Sequence, residues 1–139
     1  MTWSIYDPIT GLVTSRVTNA NQILERDHVR GNYLPGQWYV KDGKPCRLPT
    51  KPVMGPQVRF QWNLPTESWQ INIDATAYRA RQIRQDMLAS VDKVNPMWWA
   101  AMTPEQQAAT AAYRQALLDI TDQPGYPEVI DWPAKPAWL

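Results

Sequence analysis

Large and polar side chains alternate along the first part of the chain, and the spacing changes to a helical one near residue 74. Thr2-Trp3-Ser4-Ile5-Tyr6 has the period of a half-buried strand. Asp7-Pro8-Ile9-Thr10-Gly11 then supplies turn residues, and residues 12–17 are predicted to return as the second strand of a hairpin. A second hairpin is predicted from residues 37–41 and 44–48, joined by Asp42-Gly43. That dipeptide tolerates the positive φ angles of a tight hairpin turn. Residues 58–62 and 68–72 make a third pair across the turn-rich segment 63–67.

From about 76 to 91 the apolar positions Ala80, Ile83, Met87, Leu88 and Val91 follow a helical stripe, with Arg84 as the exception. Arg79, Arg81 and Arg84 read as a solvated face. A second helix begins at Thr103-Pro104-Glu105-Gln106, which offers an N-cap, Pro at the first helical position and a capping-box Gln. Its predicted inner stripe is Ala109, Ala112, Tyr113, Ala116, Leu117 and Ile120, and Gln123-Pro124-Gly125 ends it. Between the two helices, Asn95-Pro96 can start a short helical turn through Met97-Trp98-Trp99. Residues 126–139 hold Pro127, Pro133 and Pro136 and are predicted to run as an extended tail.

Composition narrows the function. Fourteen basic residues balance 13 acidic ones, for a net charge of +1, so no basic face for nucleic acid is indicated. Cys46 is the only cysteine and His28 the only histidine, which leaves no disulfide framework, no Cys pair for zinc and no Cys–His pair with a second base. His28 lies in the charged run Glu25-Arg26-Asp27-His28, which predicts a solvated loop, and Cys46 reads as an inert thiol. The six glycines are scattered through unrelated turns, so no phosphate-binding loop is formed. The segment Met1–Tyr6 lacks the basic and apolar regions of a leader, and no run approaches the roughly 20 apolar residues of a membrane span. These features predict no catalysis, no cofactor, no metal and no membrane partner, in a reducing cytoplasm.

Eight Trp and six Tyr against a single Phe point to rings that keep a polar edge, a composition suited to wet core margins and to protein interfaces. Trp98 and Trp99 are adjacent, and on a helical turn they point about 100° apart, so both cannot easily enter one small core. Either one packs and the other closes the edge, or at least one lies on a partner-binding patch.

The run Tyr113-Arg114-Gln115-Ala116-Leu117-Leu118-Asp119-Ile120, then Asp122-Gln123-Pro124-Gly125-Tyr126-Pro127 and Asp131-Trp132-Pro133, resembles the C-terminal signature of bacteriophage tail-fibre assembly chaperones. Arg81-Gln82-Ile83-Arg84-Gln85-Asp86-Met87-Leu88 is similar to their first helix, and Met102-Thr103-Pro104-Glu105-Gln106-Gln107 to the start of their second. Tyr6-Asp7-Pro8-Ile9-Thr10-Gly11 resembles the β-rich leader often found ahead of them. One departure is clear: the family's Asp-Trp after the first helix is Asp92-Lys93 here, and the indoles come later.

The expectation is an α+β chain, with a small antiparallel β-hairpin unit over 1–74, then a helical hairpin and Pro-rich tail over 75–139. The resemblance implies an ATP-independent helper that binds a phage tail-fibre subunit during folding or trimerisation in the bacterial host cytoplasm, as monomer or oligomer. The alternative is a permanent part of the tail, baseplate or fibre tip, retained on the virion. Trp98, Trp99, Tyr126, Trp132 and Trp138 are the candidate partner contacts.

Overall fold

The computed structural model describes all 139 residues and is mixed α+β, with seven short strands followed by three helices. The chain divides into two compact units. One comprises Met1–Pro52 with Phe60–Gln70, the other Val53–Arg59 with Ile71–Leu139.

In the first unit, β1 (Trp3–Tyr6) lies between β2 (Val13–Val17) and β3 (His28–Arg30), antiparallel to both. β1 is buried on both faces, not half-buried as its alternation predicts, because it lies between two strands and under the Gly31–Tyr33 segment. Ile5 is buried, and the Ser4 hydroxyl on the other face donates 2.9 Å to the Gly31 carbonyl and accepts from the Tyr33 N–H at 2.9 Å. β4 (Trp38–Lys41) and β5 (Lys44–Arg47) form the Asp42-Gly43 hairpin, where Asp42 (φ 52°) and Gly43 (φ 73°) are both left-handed. Pro45 is tolerated in β5 because that strand pairs on one side only. β6 (Phe60–Asn63) pairs with β7 (Ser68–Ile71). Gly11 joins β4 to the first hairpin: its carbonyl accepts from the Val40 N–H at 2.7 Å. At φ 73°, with a Cβ there falling 2.5 Å from the Val40 oxygen, only glycine fits.

Val13, Val29 and Val40 form the centre of this unit, with Tyr6, Tyr33 and Trp38 against them. A second cluster is aromatic: Trp62 stands 4.8 Å from Tyr39 and 5.2 Å from Trp69, measured between ring centres. The Tyr39 hydroxyl donates 2.7 Å to Glu67, whose other oxygen accepts from Lys41 at 3.0 Å. The hydrogen bond to Glu67, then burial, pushes the Tyr39 hydroxyl far above its ordinary range. The Tyr39 and Lys41 hydrogen bonds in turn hold the exposed Glu67 carboxyl below its usual value. His28 departs from the sequence expectation. It lies on β3 rather than in a loop, with its side chain exposed, because the segment is long enough to pair with Trp3–Ile5.

The second unit is built on α1 (Ile73–Asp92), α2 (Pro96–Ala101) and α3 (Pro104–Leu118). Each begins with a side-chain cap. Asn72 accepts from the Ala75 N–H, Asn95 from the Trp98 N–H, and Thr103 and Gln106 complete a reciprocal capping box. Val91, Tyr113 and Leu117 form the core between α1 and α3, with Met87, Leu88 and Leu139 packed on it. The inner face of α3 differs from the predicted stripe. Thr110, Tyr113, Leu117 and Ile120 are buried, whereas Ala112 and Ala116 are exposed. The physical reason is volume: the larger side chains claim the contact with α1, and the alanines on the stripe's flank are turned outward. On α1, Arg81 is exposed, but Arg79 and Arg84 are half-buried.

Candidate partner-binding surface

The segment after α3 adds no further strand or helix beyond a single 3-10 turn, Asp119–Asp122, and it is fastened by side chains. The Gln123 amide closes a loop on itself, accepting from the Asp131 N–H at 2.7 Å and donating to the Asp131 carbonyl at 2.9 Å. Gln57, only 1% exposed, donates to the carbonyls of Pro127 (3.2 Å) and Glu128 (3.0 Å), and accepts from the Trp132 indole at 3.4 Å. Further on, the Trp138 indole N–H donates 2.9 Å to the Thr110 hydroxyl, and Leu139 rests on the helical core. The tail departs from the extended run expected of it: residues 124–129 and 137–138 turn, with the Val129 N–H donating to the Gly125 carbonyl at 2.8 Å, and its end folds back on the helices.

This arrangement sorts the five aromatic residues singled out from the sequence. Trp98 and Trp138, 60% and 42% exposed, line one groove of about 460 Å³. Its walls come from Ser90 of α1 with Lys93 and Val94 just after it, from Trp98 and Ala101 of α2 with Met102 just after it, from Gln106 of α3, and from Lys135, Trp138 and Leu139 of the tail. Trp99, 40% exposed, faces a separate depression with Val91, Val94, Pro96 and Arg114. The 100° between neighbouring helical residues thus sends the two indoles to different surfaces. Tyr126 and Trp132 are half-buried and line neither hollow. The Tyr126 hydroxyl is enclosed, and Trp132 is engaged with Gln57.

Sequence reasoning passed over Gln57, Lys93 and Lys135. Gln57 meets residues 70 and more positions away, a separation no local pattern carries. The two lysines share a groove only because the tail folds back.

The β unit has its own depression of about 760 Å³, lined in part by Leu12, Arg47, Lys51 and Trp69. Its cations are already engaged: Arg47 lies 5.2 Å over the Trp38 ring and Lys51 4.9 Å over Trp69. No three His, Cys, Asp or Glu side chains gather where they could hold a metal ion. Cys46 is half-buried on β5, with its sulfur 3.6 Å from the Lys44 carbonyl. No helix is long and apolar enough to cross a membrane.

Comparison with known proteins gives one match. Residues 77–137 match the family model described as phage tail assembly chaperone protein. No curated protein and no solved structure matches the chain. Over residues 77–137, which include most of α1, all of α3 and both α2 indoles, the chain is similar to the phage tail assembly chaperone family.

Proposed function

We propose that this protein binds a phage tail-fibre subunit while that subunit folds or trimerises, without nucleotide hydrolysis, and releases it to the growing tail. The observation that carries this reading is the exposure of Trp98, Trp99 and Trp138 around the short helix of the family segment. Large indoles left in water have a cost that burial against a partner would recover, and Trp is the residue most enriched at interface hot spots. A nascent fibre chain exposes unpaired strand edges and apolar side chains that would otherwise pair wrongly, which is the surface such indoles can cover. Trp98, Trp99 and Trp138 are the contacts in this reading. Trp132 supports them from within by holding the tail against Gln57, and Tyr126 is half-buried in the same tail.

The alternative is a permanent place in the tail, baseplate or fibre tip. Co-expression with the phage's fibre subunit, followed by size-exclusion chromatography and mass spectrometry of purified virions, separates the two. A fibre that is soluble only with this protein, together with virions lacking it, supports the chaperone. A fibre that folds alone, with the protein at fixed stoichiometry in virions, supports the structural role.

A further inference from the structure

The groove between α1, α2 and the tail is chemically one-sided. Its floor is apolar, made by Val94, Met102, Leu139 and the faces of Trp98 and Trp138. Its polar side chains are mostly turned to the protein itself. The Ser90 hydroxyl donates to the Met87 carbonyl at 2.8 Å, the Gln106 oxygen accepts from the Thr103 N–H at 3.0 Å, and the Trp138 N–H is taken by Thr110. The groups that remain free of such bonds are donors: the Lys93 and Lys135 ammoniums, the Trp98 indole N–H and the Gln106 amide NH₂. Neither lysine takes part in an ion pair, and no Asp or Glu lines the groove. In the neighbouring depression beside Trp99 the cation is not free, because Arg114 pairs with Asp92 at 3.4 Å.

An apolar floor beside two unpaired ammoniums and no acidic side chain complements one kind of occupant. We infer that this groove takes a short segment of the tail protein in which a large apolar side chain stands next to an Asp or Glu, the apolar group entering between Trp98 and Trp138 and the carboxylate meeting Lys93 and Lys135. This rests on the proposed chaperone reading and specifies the partner's chemistry at the same site. The division of labour follows from the physics. Desolvated indole contact supplies affinity, while rim charges choose the partner and quicken encounter at modest energetic gain. A basic, neutral or purely apolar segment would leave the ammoniums without a counter-charge. It would bind through the floor alone.

The test uses the full chain against an array of overlapping peptides spanning the fibre subunit, with co-purification of the intact fibre subunit measured in parallel. The expected result is that binding peptides pair a large apolar residue with an acid, and that Asp→Asn or Glu→Gln within them weakens binding several-fold. Raising salt from about 50 mM to 500 mM should weaken it similarly. Lys93→Gln with Lys135→Gln should abolish the preference for acid over amide while leaving a residual signal, and Trp98→Ala should remove binding altogether. All three substitutions alter exposed positions, and circular dichroism checks folding of both variants. If the fibre subunit co-purifies but its peptides show no acid preference, or the lysine variant keeps that preference, the occupant is wrong and the chaperone reading survives. If the fibre subunit does not co-purify at all, both are overturned.

Discussion

The two units use their aromatic residues in opposite ways. In the β unit, Trp62 meets Trp69 edge to face and Tyr39 at a tilt, Tyr33 lies 4.9 Å from Trp38, and cations sit over Trp38 and Trp69. The helical unit contains no close ring pair, although Trp98, Trp99, Trp132 and Trp138 all belong to it. Its core is aliphatic apart from Tyr113, and three of its four indoles are left exposed. The reason is geometric. Short strands have too little area to bury small side chains efficiently, so wide rings that pack on one another extend the small valine cluster of the β unit. A helical hairpin can close on Val, Leu and Ile, which leaves its indoles available for another molecule. The same residue type is thus structural in one unit and, in the proposed function, a contact in the other.

The strongest way to break this comparison is to truncate a ring on each side. Trp62 is 6% exposed and touches two other rings, so Trp62→Ala is expected to cost about 3–5 kcal/mol, read from denaturant unfolding followed by near-ultraviolet circular dichroism. A loss under about 1 kcal/mol would mean that the stack contributes little.

A pH titration sharpens the account of the same cluster. Glu67 has its folded pKa depressed, first by the Tyr39 hydrogen bond and then by Lys41. Its contribution is therefore present above the ordinary value of 4.5 and is lost as pH falls through the lower folded value. The expected result is a β unit that loosens slightly as pH falls below 4.5, a pH dependence that flattens in Glu67→Gln. On the alkaline side the Tyr39 shift has the opposite sign. That contribution holds below the ordinary value of 10.0 and fades only as pH rises beyond it.

In the helical core, Tyr113 is 4% exposed and its hydroxyl has no hydrogen-bond partner, and burial alone raises its pKa. Tyr113→Phe removes an unsatisfied polar group while keeping the ring, so the expected change lies between zero and about 1 kcal/mol of added stability by thermal unfolding. A clear loss would reveal a bond to that hydroxyl.

Much of this architecture was legible locally. The Asp42-Gly43 turn, the Asn95 and Thr103 caps and the helical period of α1 each depend on residues within a few positions of one another, and all take the expected form. The misreadings share a cause. His28 joins a strand because β1, more than 20 residues earlier, offers it an edge. The alanines of α3 fit an apolar stripe by spacing, but which side of that stripe is buried depends on the bulk of Tyr113 and Leu117 against α1. The adjacency of Trp98 and Trp99 signalled that the two rings diverge, while the groove itself required a tail that folds back through Gln57, Gln123 and Trp138. Those clasps join amides to distant carbonyls and leave no periodic trace.

The measurement that bears most directly on the central claim is the affinity of the fibre subunit for the Trp98→Ala, Trp99→Ala double variant, with its unfolding midpoint measured beside it. Both indoles are exposed, so stability should change by no more than about 0.5 kcal/mol. The account predicts an unchanged fold with fibre binding weakened at least tenfold. A folded double variant that binds the fibre as tightly as the parent chain would contradict it.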